Sequence, residues 1–152
     1  MRTKSNGRTK RTGTTLVESA MVLAACVLLL FGMLELSLAL VRHSVMSEAA
    51  RRVARAAIVH GDRSAPAQDP WGPAPLSVNA ADDHPAAAAA RLVLMTINPA
   101  EVEIELTWPE GGNQAGQQVR VATRFTHRPI VPVPGWYDEL SLQAVSTMQI
   151  AH

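Results

Sequence analysis

The sequence predicts an α+β protein in which one long N-terminal helix crosses a membrane and continues into a small domain with a second short helix and a three-stranded antiparallel sheet. Three observations predict this fold. Residues 19–34 carry no charge, two later segments alternate apolar and polar residues, and connectors rich in proline or glycine separate the elements. A chain of 152 residues is long enough for one compact domain outside the membrane.

The first element is an apolar run from Leu16 to Val41, in which Glu18 and Glu35 are the only charged residues. A bilayer core of roughly 30 Å needs about 20 mostly apolar residues in a helix, and this run is long enough. The remaining chain is too small to enclose a helix that is apolar on every face, which disfavours a buried helix of a soluble protein. A removable secretory signal would have a shorter apolar core and a cleavage site after it, and nothing after Val41 has that character.

The basic residues around the apolar run predict its orientation. Short flanks rich in Lys and Arg stay in the cytoplasm, whereas long regions cross the membrane largely regardless of charge. We therefore expect the N-terminus in the cytoplasm and the C-terminal domain outside, although four arginines after the run compete. The leader residues are Arg2, Lys4, Arg8, Lys10 and Arg11, and the competing ones are Arg42, Arg51, Arg52 and Arg55.

A candidate processing site lies where the basic leader meets the apolar run. The leader ends in Gly13, and Glu18 follows five residues later at the edge of the run. Glycine lets another protein approach the backbone closely, and a carboxylate at the membrane is costly unless it is paired. The segment RTGTTLVE, residues 11–18, resembles the processing site of type IV prepilins, which a membrane-embedded aspartic peptidase cuts after the glycine. The alternative is a chance spacing of one glycine and one glutamate.

The resemblance extends along the helix to the TadE-like family of pseudopilins. It rests on the processing segment, on Gly32-Met33-Leu34-Glu35 and on the Ala-Arg-rich stretch 48–57, and it is loose across residues 62–100. The resemblance implies a pilin-like fold and cleavage between Gly13 and Thr14, after which Glu18 pairs with the new amine of a neighbouring subunit. It also implies a minor pilin of a tight-adherence, Flp-type pilus in the bacterial inner membrane. The implied partners are a prepilin peptidase, other pilins and the assembly machinery.

Glu35 is the second charged residue within the apolar run. Ionisable residues within spans usually face protein, which predicts a contact with another pilin or an assembly protein. Two alternatives are a position near the outer interface, where Glu35 reaches water, and a face shared with Arg42 two turns later.

The helix is expected to continue past the membrane to Gly61, a residue type that ends helices. An apolar stripe at every fourth residue predicts the face that packs on the domain, and Glu48 precedes Arg51 and Arg52 in a stabilising order. The arginine-rich face either binds anionic lipid or partners, or is a solvated surface with local ion pairs. The stripe comprises Val41, Val45, Ala49, Val53 and Ala57.

Residues 62–85 contain five prolines and are predicted to form a loop, with Trp71 either packed onto the domain or exposed as a binding residue. The adjacent Asp82, Asp83 and His84 suggest a metal site, but three consecutive side chains rarely converge on one ion. Pro85 after them favours a helix start, which predicts a second helix over Ala86–Met95.

Alternation with period two predicts strands over residues 101–108 and 119–126, joined by a Gly-rich hairpin, and a third strand follows from Leu142 to Ile150. Glutamates on the outer face of the first strand are expected to meet arginines on the second. The stretch Pro129–Gly135, followed by Trp136 and Tyr137, is expected to be a rigid connector.

No catalytic, phosphate-binding or metal-binding motif is found, and the five histidines are scattered and expected at the surface. We therefore expect a structural or assembly protein, with no cofactor, metal or nucleic acid, and Cys26 has no second cysteine to pair with. The expected segments are a leader 1–13, a transmembrane helix 14–41, a helix extension 42–61, a loop 62–85 and a domain 86–152. The alternative is an uncleaved, membrane-anchored periplasmic binding or adaptor module that uses the 62–85 loop and the hairpin for recognition.

Overall fold

The computed structural model describes residues 10–64, 69–130 and 139–151, with side chains from Gly13 onward. Its elements are helix α1 (Lys10–Ala57), strand β1 (Leu76–Asn79), helix α2 (Pro85–Arg91), a 3-10 turn (Pro99–Glu101), and strands β2 (Val102–Thr107), β3 (Gln118–His127) and β4 (Leu140–Gln149). The chain forms two compact units, Met1–Ser37 and Leu38–His152, and α1 contributes to both. The N-terminal leader 1–9 and most of the predicted connector, including Trp136 and Tyr137, lie outside the described residues.

The second unit contains an antiparallel sheet of four strands in the order β1-β2-β3-β4. The prediction of an antiparallel sheet is confirmed, but the predicted number of three strands is wrong. The additional strand, β1, lies within the segment 62–85 that was expected to be a loop. It is only four residues long, and its pairing with β2, which places Val78 opposite Ile104 in the core, outweighs the proline-rich composition around it.

The C-terminal part of α1 covers the inner face of this sheet. Its buried side chains include Met46, Ala49, Ala50, Val53, Ala54 and Ala57. All of these except Ala50 share one apolar core with Ile104, Leu106, Val119, Val121 and Phe125 of the sheet. The predicted stripe is wrong at Val41, which is 51% exposed. A strict step of four residues rotates by about 40° around a helix each time, so it cannot stay on one face.

Helix α2 is shorter than predicted, since it begins at Pro85 and ends at Arg91. The predicted helix start is confirmed, and the cap is His84, whose Nδ1 accepts a hydrogen bond from the Ala86 amide at 3.1 Å. Oδ2 of Asp82 instead accepts a hydrogen bond from the Asn79 amide at 2.7 Å. The chain after Arg91 turns so that Leu94 and Ile97 enter the core, which ends the helix before Met95.

Asn113 in the hairpin between β2 and β3 ties that loop to the segment after α1. Its Oδ1 accepts from Trp108 Nε1 at 3.1 Å, and its Nδ2 donates to the carbonyls of His60, at 3.2 Å, and Trp71. Trp71 is 6% exposed and stacks on the His60 ring with centroids 4.2 Å apart. The prediction that Trp71 packs onto the domain is therefore confirmed, as is the hairpin itself.

The outer face of the sheet is polar. Arg124 of β3 donates to Glu105 of β2 across 2.8 Å, which confirms the predicted pairing of arginines with glutamates between these strands. Both side chains are partly exposed, so the pair contributes under about 1 kcal/mol to stability.

Candidate membrane span and processing site

The first half of α1 is exposed and apolar on all sides. Leu16, Met21 and Leu36 are 72%, 70% and 69% exposed, and most other large side chains between them are similarly uncovered. The best 18-residue window of the helix has a mean hydropathy of 2.4, and only 6% of it is buried. By length and composition, this one N-terminal helix is able to cross a membrane. A helix that is apolar on every side is stable in lipid and not in water.

Gly13 lies in the first turn of α1, which begins at Lys10. The first four amides of a helix have no partner within it, so fewer hydrogen bonds hold the backbone here than in the middle of the helix. A methyl group at position 13 would meet no atom within 4 Å. Gly13, Thr14 and Glu18 are all exposed. The expected scissile bond between Gly13 and Thr14 therefore lies at the accessible end of the helix.

Glu18 lies four residues, or just over one helical turn, beyond Thr14. If Thr14 became the N-terminus, Glu18 would lie in the first turns of the shortened helix, where the helix dipole favours a negative charge. The six residues after Glu18, from Ser19 to Ala24, are uncharged. The arrangement thus leaves one carboxylate at the beginning of an otherwise apolar surface, available to a positive group outside the helix.

Glu35 differs from its neighbours in the same helix. Its side chain is 8% exposed, whereas Leu34 and Leu36 are 65% and 69% exposed. A buried carboxylate within an apolar segment is stable only when it is hydrogen-bonded or paired.

A cluster that the sequence did not reveal lies just after the apolar run. The Arg42 guanidinium is 5.7 Å above the Phe125 ring, and its Nη1 donates a hydrogen bond to Nδ1 of His127. Since arginine is only a donor, Nδ1 of His127 is the acceptor in this hydrogen bond. His127 is fully buried, so its predicted surface position is wrong. The period-two pattern of β3, which places residue 127 on the same face as Phe125, was the signal that it points inward.

The arginine-rich face of α1 is held together by Glu48. Its carboxylate lies 3.1 Å from both Arg52 and Arg55 and 4.0 Å from Arg51. The hydrogen bond from Arg52, helped by Arg55, lowers the pKa of Glu48. Local ion pairs therefore account for three of the arginines that follow the apolar run.

Metal-ligating side chains do not converge in the part of the chain that the structure describes, where no group of three or more His, Cys, Asp or Glu is placed to hold an ion. His84, which the sequence placed in a candidate cluster, caps α2 instead.

Comparison with known families identifies the apolar helix and its extension. The family described as TadE-like protein matches residues 13–55, which confirms the resemblance over this segment. The match begins at Gly13 and ends within α1, two residues before the helix does. It indicates a pilin-like protein related to the tight-adherence pilus, and that family is structural rather than enzymatic. No curated protein and no solved structure matched the chain.

Proposed function

We propose that this protein is a TadE-like pseudopilin, a minor pilin that takes part in assembling a tight-adherence, Flp-type pilus. The observation that supports it is the closeness of three boundaries. The family match begins at Gly13, the basic leader ends at Gly13, and the exposed apolar side chains of α1 begin three residues later, at Leu16. In this proposal a prepilin peptidase cuts between Gly13 and Thr14, while the C-terminal domain lies in the periplasm or outside the cell.

The proposed mechanism follows from the exposed surface of α1. Cleavage removes the leader and its five positive charges, so the mature chain begins with an amine next to an apolar helix. The helix stays in the inner membrane until it docks against the helices of other pilins. Small residues let helices approach closely in lipid, where packing rather than the hydrophobic effect drives association. The small residues of this segment are Ala20, Ala24, Ala25 and Gly32.

Two carboxylates direct this docking. Glu18 pairs with the N-terminal amine of a neighbouring subunit, because a charge at the membrane is stable only when it is paired. Glu35 makes a second polar contact with a pilin or assembly protein.

The test is the N-terminal sequence and intact mass of the membrane-extracted protein after coexpression with a prepilin peptidase. Wild type is compared with Gly13→Ala and with the matched control Gly7→Ala, which changes the other glycine of the leader region. Position 13 has room for a methyl group, and alanine favours helix, so loss of cleavage in Gly13→Ala would not reflect misfolding of α1.

We expect wild type and Gly7→Ala to begin at Thr14 and Gly13→Ala to keep its leader. An uncut wild-type chain, with the peptidase active on another substrate in the same cells, would contradict processing. That result would favour the uncleaved, membrane-anchored binding or adaptor module. A Glu18→Gln variant separates the two steps, because we expect it to be cleaved normally but to lose association with other pilins.

A further inference from the structure

The outer face of the sheet contains a shallow depression across strands β2, β3 and β4. Its volume is about 230 Å³, below the roughly 300–1,000 Å³ of pockets for drug-sized ligands, so it suits a group the size of one side chain. Ala122 lies at its bottom and is 8% exposed, because the neighbours on the same face of β3 are the long side chains Arg120 and Arg124. The residues that line the depression are Glu105, Thr107, Arg120, Ala122, Arg124 and Gln143.

Arg120 is the charged residue of this depression whose charge is not balanced. In the part of the chain that the structure describes, its guanidinium makes no hydrogen bond or ion pair, whereas Arg124 lies 2.8 Å from Glu105. A second carboxylate on this face, Glu103, accepts from the Ser77 hydroxyl at 3.2 Å. Glu103 lies directly across from Arg124, four residues or about 13 Å along the strand from Arg120. The depression therefore keeps one unbalanced positive charge.

The polar groups around the depression are mostly hydrogen-bond donors. A guanidinium has five N–H groups and no acceptor, and the Gln143 amide adds two donors. The Thr107 hydroxyl is already used, since it donates to the Arg120 carbonyl at 3.4 Å. Arg120 and Gln143 are exposed, so a ligand is able to reach their donors. A ligand that fits here is rich in acceptors and negatively charged.

One border of the depression is apolar. Val145 of β4 lies directly across from Ala122 in the antiparallel register and is 46% exposed on the outer face. The methyl groups of these two residues form a small apolar surface next to the arginine side chains. Aliphatic carbon placed against this surface removes apolar area from water, which is favourable, whereas a bare inorganic ion leaves it uncovered.

We propose that this depression binds a carboxylate carried on a short aliphatic chain, and that Arg120 holds the carboxylate. A planar carboxylate pairs side by side with two N–H groups of a guanidinium. Its single negative charge matches the one unbalanced positive charge, whereas a phosphate monoester carries about −1.5 to −2 at neutral pH. The glutamate side chain of a protein and a free small acid share this chemistry. The proposal is independent of the membrane anchor and of cleavage at Gly13.

The experiment follows the NMR methyl signals of Ala122 and Val145 in the full chain, held in lipid nanodiscs, as a probe is added. The probes are butyrate, a capped peptide with one glutamate, the same peptide with glutamine, and inorganic phosphate. Arg120→Gln removes the charge, and Ala122→Ile fills the depression. Ala122 is outside the apolar core and β-branched residues suit strands, so this second variant keeps the fold. Arg63→Gln, which changes an exposed arginine after α1, is the matched control.

We expect butyrate and the glutamate peptide to shift both methyl signals of wild type to saturation. Arg120→Gln and Ala122→Ile, in which Val145 reports binding, should each weaken the affinity at least about fivefold, since one removes the charge-assisted hydrogen bonds and the other the space. Arg63→Gln should bind like wild type. An unchanged methyl signal of Val121, in the core, checks that each variant is folded. Tighter binding of the peptide than of butyrate identifies a protein side chain as the source of the carboxylate, and equal or weaker binding identifies a free acid.

Three results would overturn the proposal. The first is that neither carboxylate probe moves the two methyl signals. The second is an affinity in Arg120→Gln or Ala122→Ile that equals that of wild type, because the charge or the space would then not be used. The third is that phosphate or the glutamine peptide binds as tightly as the glutamate peptide, because the depression would then not select a carboxylate.

Discussion

Replacing Asn113 with alanine should destabilise the second unit strongly, although Asn113 lies in a loop. Its side chain satisfies the Trp108 indole N–H and the carbonyls of His60 and Trp71. The His60 carbonyl retains the Trp71 amide as a donor at 2.8 Å, so the two groups that lose their partner are the Trp108 indole N–H and the Trp71 carbonyl. A buried polar group without a partner costs about 1–3 kcal/mol, and a water molecule that enters the vacated space would recover part of this. We expect a loss of about 2–4 kcal/mol in the free energy of unfolding.

Urea unfolding of the full chain in nanodiscs measures this loss. Unfolding is monitored through hydrogen exchange of the β3 amides, so the measurement does not rely on the fluorescence of the affected tryptophans. Gln114→Ala is the matched control, because it changes the next residue in the same loop, whose side chain is exposed. We expect the control to lie within about 0.5 kcal/mol of wild type. A loss below about 1 kcal/mol for Asn113→Ala would refute the conclusion that this side chain holds the loop against the segment after α1.

Three further substitutions test the packing of the second unit by the same measurement. Gly72→Ala should lower the free energy of unfolding by about 2 kcal/mol or more, because Gly72 has a φ of 85° and a methyl group there would overlap the Trp108 indole. An unchanged stability would mean that the indole can move away. Thr123→Val should cost about 1 kcal/mol, since the buried Thr123 hydroxyl donates to the Met46 carbonyl at 3.2 Å and links β3 to α1; a stabilising effect would mean that the hydroxyl is not used. Glu105→Gln should lower the free energy of unfolding by less than about 1 kcal/mol, because the ion pair of Glu105 with Arg124 is exposed, and the difference from wild type should vanish at high salt. A larger loss would show that the outer face of the sheet contributes to stability.

The candidate processing site was readable from sequence because it is local. A basic leader, a glycine and a carboxylate at fixed spacing occur within residues 2–18, and the membrane span needs only a long run without charge. Strands β2 and β3 were equally readable, since their alternation repeats over six or more residues. The cap of α2 was predicted as a position, but His84 rather than a neighbouring aspartate fills it.

The sequence by itself determined the apolar helix, the basic leader that ends at Gly13 and the two central strands, because each depends on periodicity or composition within one segment. Only the tertiary structure decided that Leu76–Asn79 is a strand, that His127 is buried beside Arg42, and that Asn113 joins three distant backbone or ring groups. A strand of four residues has too little pattern to stand out among prolines, and it forms because β2 supplies its hydrogen bonds and the core covers Val78. Likewise, the position of β4 at one end of the strand order, within the described residues, follows only from the tertiary structure, since its alternating pattern is the same as that of a central strand.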